Sequence, residues 1–179
     1  MTDTSHKAAS QTLREIASWQ PGRGSADSDL LPELSTMVAR SRDLSRNHGI
    51  ASGAMQTLTD NIVGTGFRLS AKPDYKLLGK TKDWEEEWQA KIEGLWRSWS
   101  ETFMCDAAQS LNFHGLTTQI FKSCLINGEA LALALWLPER PVATTIQLIE
   151  PDRLSNPNNS TDSKNLRGGV EIDCFGAPV

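Results

Sequence analysis

The chain has 179 residues, enough for one domain with a hydrophobic core, although hydrophobic residues make up only 39% of it. Its formal net charge of -4 argues against a protein that holds nucleic acid by neutralising phosphates. Three widely spaced cysteines argue against a secreted disulfide framework, and the longest apolar run, Ala130 to Leu137, is too short to cross a bilayer.

The first third of the chain is predicted to be an arm followed by one long helix. Residues 1–30 are rich in Ser, Thr, Asp and Gly, which is typical of a flexible N-terminal arm. Pro32 suits the first turn of a helix, and Asp29 could cap it. Apolar side chains then recur every three or four residues as far as Ile62, although Gly49 could bend or interrupt the helix.

Two glycines follow this helix. Gly64 or Gly66 can supply the left-handed residue that ends it, and Phe67–Ala71 is predicted to be a short strand. We therefore interpret the two glycines as a helix-to-strand hinge. A nucleotide-binding loop needs the reverse order, a strand before the glycines and a helix after them, so phosphate binding is disfavoured here.

Two further helices are predicted in the middle of the chain. Asp83 is expected to begin the second helix, with Glu86 completing a capping box. This helix carries four of the six tryptophans at helical spacing, which favours a core or an interface over a base-stacking platform. Ser110 or Asn112 could cap the third helix, and Gly128 is expected to end it.

Strands dominate the last third of the predicted fold. They are expected at residues 129–137, 144–150 and 170–173. The first alternates small and large apolar residues and is interpreted as a buried strand, although its Ala and Leu content leaves a helix open. The last strand and turn have no return strand, which would leave backbone groups unpaired, so we expect a piece of a longer polypeptide. The predicted class is α+β, with a long N-terminal helix plus two further helices packed on a small, mainly antiparallel sheet.

No group of residues in the sequence indicates a catalytic site or a metal-binding site. Cys105, His114 and Cys124 have eight and nine residues between them, which matches no closed zinc site. His48 lies in the helical stripe without an acidic or cysteine partner and is interpreted as a packing residue. We therefore predict no enzyme, no catalytic residue, no cofactor and no metal site.

Charges of opposite sign concentrate in two stretches. Residues 31–80 carry seven basic and four acidic groups, whereas residues 83–101 carry six acidic and two basic groups. Each is by default a solvated face. The two could also meet across a repeated subunit contact, in which complementary potentials orient the partners.

Two longer blocks carry a resemblance to a known family. The first reads Arg42-Asp43-Leu44-x-Arg46-Asn47-x-Gly49, followed by Asp60-Asn61-Ile62-Val63-Gly64-x-Gly66-Phe67-Arg68-Leu69. The second reads Ile149-Glu150-Pro151-Asp152-Arg153-Leu154-Ser155-Asn156-Pro157-Asn158-Asn159, followed by Asn165-x-Arg167-x-Gly169-Val170-Glu171-Ile172. In this order and separation they resemble the N-terminal part of lambda-type tailed-bacteriophage portal proteins (head-tail connectors). The resemblance covers roughly residues 13–179 and is loosest over residues 80–112.

The resemblance implies a structural role at the phage portal vertex. Such proteins form a dodecameric ring through which terminase packages dsDNA, through which the DNA is later ejected, and on which head and tail connect. Residues 31–179 would then be the portal N-terminal (wing) region, truncated before the stem, clip and crown. The implied locations are the virion and, during assembly, the host bacterial cytoplasm, with a phage or prophage as the source.

The resemblance also implies partners. They are further copies of the chain, the terminase large subunit, major capsid and scaffold proteins, head-completion and tail proteins, and dsDNA passing non-specifically, with no membrane. We expect ring contacts first at Arg42, Arg46 and Asn47, and a monomer or weak oligomer for this piece alone. The alternative is a stand-alone α+β protein- or nucleic-acid-binding module.

Overall fold

The computed structural model describes residue 10 and residues 12–179 of the chain. The chain divides into two compact units, residues 1–37 and residues 38–179. Because the described residues are 10 and 12–179, the predicted arm, residues 1–30, lies partly outside them. Within its described part, residues 14–18 form turns and residues 26–30 are already helical.

Helix α1 spans Ala26–Asn47 and begins earlier than the sequence predicted. Ser25 precedes it, and its hydroxyl oxygen accepts the backbone N–H of Ser28 at 3.2 Å. A serine before the first turn is a favoured cap, so Asp29 is not needed in that role and lies inside the helix. Pro32 is likewise an interior residue, where its missing N–H removes one helical hydrogen bond. Both of these predictions were wrong.

The predicted single long helix is not confirmed, because the chain forms two helices at this place. Helix α2 spans Gly49–Ile62, and His48 between α1 and α2 has extended backbone angles, φ -115° and ψ 108°. His48 has no side-chain cap bond to α2. Asn, His and Gly are weak helix formers, and their run at residues 47–49 accounts for the break.

Gly64 and Gly66 turn the chain out of α2 with positive φ angles of 55° and 92°. The next residues, Phe67–Ala71, are extended but form no ladder with another strand. The predicted strand there is wrong. Its place is taken by a side-chain contact, because the backbone N–H of Ala71 donates to the Glu93 carboxylate at 3.1 Å.

Helix α3 spans Lys82–Ser100 and is capped by Thr81, whose hydroxyl accepts the Trp84 N–H at 3.3 Å. The predicted start at Asp83 with a capping box to Glu86 was therefore wrong. The threonine two residues earlier satisfies the first turn, and the acidic residues lie inside the helix, where they still favour its N-terminus.

Helix α4 spans Phe113–Asn127, with both ends where the sequence predicted them. The Asn112 side chain accepts the Gly115 N–H at 2.9 Å, and Gly128 ends the helix in the left-handed conformation with φ 83°. Local chemistry determines both ends, since an asparagine cap and a glycine stop need no distant partner.

Aromatic rings pack α3 against α4. The rings of Trp96 and Trp99 lie 5.1 and 5.5 Å from the ring of Phe113. The indole N–H of Trp99 also donates to the backbone oxygen of Thr144 at 2.8 Å, which connects α3 to the first sheet. Trp99 is half-buried, and this bond satisfies its indole N–H and fixes the orientation of the ring.

Two small antiparallel sheets complete the α+β fold. Strands β1 (Leu131–Trp136) and β2 (Thr144–Ile149) pair with each other, as do β3 (Leu166–Arg167) and β4 (Val170–Glu171). The prediction that the first strand is buried was wrong, since Leu133 is 43% exposed and Trp136 is 72% exposed. No further strand of the described chain pairs with β1, and its composition could not reveal that.

A tight turn at Asp106 joins the helices to β2. Asp106 is 3% exposed, and its carboxylate accepts the backbone N–H groups of Ala108, Ser110 and Leu111 at 2.9 to 3.0 Å. The Ser110 hydroxyl donates a fourth bond at 2.8 Å. Burial alone would raise the pKa of this carboxyl, but the hydrogen bonds outweigh burial and hold the pKa below its ordinary value. We call residues 106–111 the Asp106 turn.

The backbone of the Asp106 turn is attached to the first sheet as well. The N–H of Ala107 donates to the oxygen of Ile146 on β2 at 2.8 Å. The guanidinium of Arg140 donates to the backbone oxygens of Asp106 and Ala107 at 3.1 and 2.7 Å. The turn therefore joins the end of α3, the start of α4 and the β1–β2 hairpin.

Candidate subunit interface around Arg42

Arg42 on α1 donates three short hydrogen bonds to two distant parts of the chain. Its Nη1 and Nη2 donate to the two carboxylate oxygens of Asp152 at 2.7 and 2.8 Å, and its Nε donates to Asn127 Oδ1 at 2.7 Å. A planar guanidinium matches a carboxylate in this two-point geometry, which a lysine ammonium cannot reproduce. We call Arg42, Asn127 and Asp152 the Arg42 clasp.

Local structure positions both acceptors of the Arg42 clasp. Asn127 is the last residue of α4, and its amide nitrogen donates to the Ser123 hydroxyl at 3.1 Å, which orients its oxygen toward Arg42. Asp152 lies in the short 3-10 turn Pro151–Arg153, which begins with a buried proline. The arginine thus connects the C-terminal parts of α1 and α4 to the segment after β2.

The Arg42 clasp is open to solvent. The Arg42 side chain is 28% exposed and that of Asp152 is 56% exposed. The shared hydrogen bonds raise the pKa of Arg42 and hold the pKa of the Asp152 carboxyl below its ordinary value. Because water screens an exposed ion pair, the clasp orients three segments more than it stabilises them.

The structure places the three predicted contact residues in different environments. The Arg42 guanidinium is engaged within its own chain. Arg46, in the last turn of α1, and Asn47, at its end, are both exposed, and the Asn47 amide donates to Asp43 Oδ1 at 2.7 Å. Arg46 and Asn47 are therefore accessible to solvent, and the predicted contact role of all three residues stays a prediction.

The two hinge glycines differ in their surroundings. A Cβ added to Gly66 would lie 3.1 Å from the His114 Nδ1 on α4, whereas one on Gly64 would meet only the Asp60 backbone oxygen at 3.6 Å. Gly66 is thus a point of close approach between the extended segment and α4. The chain turns here into an extended segment and not into a strand.

A groove of about 590 Å³ lies beside Gly66, between the extended segment, α3 and the start of α4. Arg68, Arg97 and His114 line it together with Trp96 and Glu93. The backbone N–H of Ala71 and the amide of Gln89 hold the pKa of the Glu93 carboxyl below its ordinary value. That carboxylate is thereby committed to positioning the segment, and it is a poor proton acceptor near neutral pH.

The residues weighed as metal ligands are not brought together. Cys105 is fully buried, and burial raises the pKa of its thiol, while Cys124 and His114 are exposed on α4. Among residues 12–179, no cluster of three or more His, Cys, Asp or Glu side chains has the arrangement of a metal site. His48 is an exposed residue at the break between α1 and α2.

Sequence reasoning missed the role of Asn156 in the loop after β2. The amide of Asn156, only 8% exposed, donates to the Ser160 backbone oxygen and to Asp162 Oδ1, and its own oxygen accepts the Gly169 N–H at 2.7 Å. A Cβ on Gly169 would lie 2.8 Å from the Ser155 nitrogen, so a side chain is excluded there. The signal available in the sequence was an asparagine in a polar loop, followed later in the chain by the Gly168-Gly169 pair.

The two sequence blocks singled out above touch each other at the Arg42 clasp. Arg42 belongs to the first block and Asp152 to the second, 110 residues later in the chain. Their pairing gives a physical reason why both blocks occur together, since each supplies one half of a two-point hydrogen bond.

In the part of the chain described here, we find no helix that combines the length and the apolar character needed to cross a bilayer. The remaining geometry is that of a scaffold, in which carboxylates and amides position backbone segments. Comparison with known proteins defines its class.

The family described as "Phage portal protein, lambda family" matches residues 12–179. Portal protein B of Escherichia phage lambda and the portal protein of Escherichia phage N15 are each 35% identical over 169 residues, covering 92% of this chain and 32% of the relative. A probable portal protein of Halomonas phage phiHAP-1 is 25% identical over 182 residues, covering all of this chain and 34% of the relative.

These matches define the class first: a phage portal protein, which is a structural component of the virion. The chain belongs to the lambda family of phage portal proteins. It spans about a third of the length of the curated relatives it matches.

Proposed function

We propose that this chain is the N-terminal wing region, residues 31–179, of a portal subunit that assembles into a dodecameric ring. The ring admits dsDNA driven by terminase, releases it at infection, and joins head to tail. The match of residues 12–179 to the lambda portal family is the observation that carries this proposal. The role is mechanical and not enzymatic.

The proposed partners follow from this role. They are further copies of the subunit, the terminase large subunit, capsid and scaffold proteins, head-completion and tail proteins, and dsDNA that slides past without being gripped. The formal charge of -4 supports the last point, because a strongly basic lining would hold phosphates. The proposed locations are the portal vertex of the virion and, before that, the host bacterial cytoplasm.

Within this role, we assign the three predicted contact residues different tasks. Arg46 and Asn47 are exposed at the end of α1 and are proposed to touch the neighbouring subunit. Arg42 is proposed to act on the same contact indirectly, since the Arg42 clasp fixes the direction in which α1 ends. Gly64 and Gly66 are proposed to set the direction of the segment that follows α2.

Electron microscopy of the complete gene product that contains this chain tests the proposal. We expect closed rings with twelve subunits, and rings that are lost or fewer when Arg46 is replaced by Glu. Arg167→Glu, an exposed charge outside α1, is the matched control and should leave the rings intact. A monomeric product that binds short duplex DNA would instead support the stand-alone binding module.

A further inference from the structure

Exposed cations recur at every fourth residue in the segment between α2 and α3. They are Arg68, Lys72, Lys76 and Lys80, all of them exposed. One acidic residue, Asp74, lies among them, and its carboxylate is occupied by the backbone N–H groups of Lys76 and Leu77 at 3.0 and 3.1 Å. We call these four cations the basic ridge.

The basic ridge is held in place from below. Ala71, in its middle, is only 8% exposed and is anchored by its N–H bond to Glu93. At its end, the Lys80 N–H donates to the Tyr75 oxygen at 2.8 Å, which closes the turn before α3. The backbone that carries the charges is therefore anchored at two points, which lowers the backbone entropy lost when a partner binds.

Three large apolar side chains of the same segment are exposed to solvent. Phe67 is 61% exposed, Leu77 is 85% exposed and Leu78 is 54% exposed. An apolar patch rimmed by charges is typical of a protein contact, since the apolar centre supplies affinity and the charges supply orientation.

The acidic face of α3 has the complementary charge. Its members are the exposed carboxylates Asp83, Glu86 and Glu87 in the first turns of the helix. Among the described residues, the one ion pair that involves this face is Lys82 with Glu86, at 3.7 Å between exposed atoms. Such a pair contributes little, so the face remains available to external cations.

We propose that the basic ridge of one copy docks on the acidic face of α3 of a second copy, head to tail; this rests on the proposed portal function. In a head-to-tail ring, each copy gives its basic ridge to one neighbour and its acidic face to the other, so the contact repeats around the ring. Nucleic acid fits the ridge less well. Lys80 Nζ lies 5.9 Å from the Trp84 ring centroid, so the ridge adjoins the acidic helix start, which repels phosphates.

Zero-length cross-linking of a mixture of ordinary and ¹⁵N-labelled copies of this chain tests the proposal. A carbodiimide joins amines to carboxylates that are in contact, and only links between copies combine the two isotopes. We expect mixed-isotope links from Lys72, Lys76 or Lys80 to Asp83, Glu86 or Glu87, and their loss at high salt.

Charge reversal sharpens the test. Lys72→Glu/Lys76→Glu and Glu86→Lys/Glu87→Lys should each abolish the weak self-association expected of this chain alone, measured by sedimentation velocity at high concentration, because each variant presents like charges to itself. Mixing the two variants should restore association, since each supplies the charge the other lacks. Lys164→Glu/Glu139→Lys, two exposed residues elsewhere, is the matched control and should behave like the wild type.

Two outcomes would overturn the proposal. Mixed-isotope links that avoid both surfaces would refute this contact and leave the portal role standing, because a ring needs a subunit contact but not this one. Absence of mixed-isotope links, or a mixture of the reversed variants that stays monomeric, would also refute it. Twelve-subunit rings of the complete gene product, imaged separately, decide the portal role itself.

Discussion

The Asp106 turn and the Arg42 clasp both use an aspartate carboxylate to join separate segments, but they do so in opposite environments. Asp106 is 3% exposed, and its four donors lie within five residues of it. The Asp152 side chain is 56% exposed, and its donor lies 110 residues away. One is buried and local, whereas the other is exposed and distant.

The two junctions therefore differ in how much free energy it costs to open them. Removing the buried Asp106 carboxylate takes the shared acceptor from several backbone N–H groups at once, which makes opening of the turn costly. An exposed ion pair can exchange its partner for water at little cost. The Asp106 turn therefore secures the helix-sheet junction, whereas the Arg42 clasp can open to water at little cost.

Removing the Asp106 carboxylate should have the largest effect. We expect Asp106→Ala to lower the free energy of unfolding by about 3 kcal/mol, because three backbone donors and the Ser110 hydroxyl lose their shared buried acceptor. Urea denaturation followed by tryptophan fluorescence measures this loss. Ser110→Ala removes only the hydroxyl bond and should cost about 1 kcal/mol. Equal losses for the two variants would contradict the importance of the backbone donors.

The same carboxylate should make stability depend on pH. Its pKa is lower in the folded state, so its contribution is complete above the ordinary Asp value of about 3.9 and is lost as the pH falls through the folded pKa. The difference in unfolding free energy between wild type and Asp106→Asn should therefore shrink on acidification below about pH 4. A difference that is constant or grows in that range would refute the assignment.

Gly66 lies close to the His114 side chain. We expect the effect of a substitution there to fall between those at Asp106 and at Arg42. We expect Gly66→Ala to cost about 2 kcal/mol, because φ is 92° and the new Cβ would crowd His114 at 3.1 Å. Thermal unfolding measures the loss. Gly53→Ala, inside α2 with nothing within 4 Å of the added Cβ, should instead be neutral or stabilising. Similar losses at both positions would rule out the strain at Gly66.

Arg42→Lys should have the smallest effect on the isolated chain. The lysine keeps the charge but loses the two-point bond to Asp152 and the bond to Asn127, so we expect a small drop in the urea midpoint. Salt should reduce the difference from wild type, since exposed pairs are screened. Arg46→Lys, without such contacts to lose, should not change the midpoint. A drop in the urea midpoint as large as that of Asp106→Ala would contradict the proposed difference in strength between the Arg42 clasp and the Asp106 turn.

Local signals determined what the sequence could predict. The cap at Asn112 and the stop at Gly128 were found because each end depends on its own residues. The start of α3 was misplaced because Thr81 and Asp83 are both good caps, and only packing decides between them. The α+β class and the portal family were likewise accessible, the first from periodicity and the second from the two blocks.

The features that the sequence could not predict depend on residues far apart in the chain. The exposure of β1 depends on which strands or helices cover its sheet. An alternating apolar sequence is compatible with a strand at the edge of a sheet and with one in its interior. The Arg42 clasp joins positions 110 residues apart and leaves no local pattern. The Asp106 turn did leave one, an aspartate followed by polar and small residues between two helices, and could have been recognised as a capping turn.

The Arg42 clasp also sets the order in which the chain is secured during synthesis. Asp152 leaves the ribosome 110 residues after Arg42, and at roughly 5–20 residues per second this delay lasts on the order of ten seconds. The Asp106 turn needs only five residues to supply its donors and closes long before that. The end of α1, which carries Arg46 and Asn47, is therefore among the last parts of the nascent chain to acquire its native orientation.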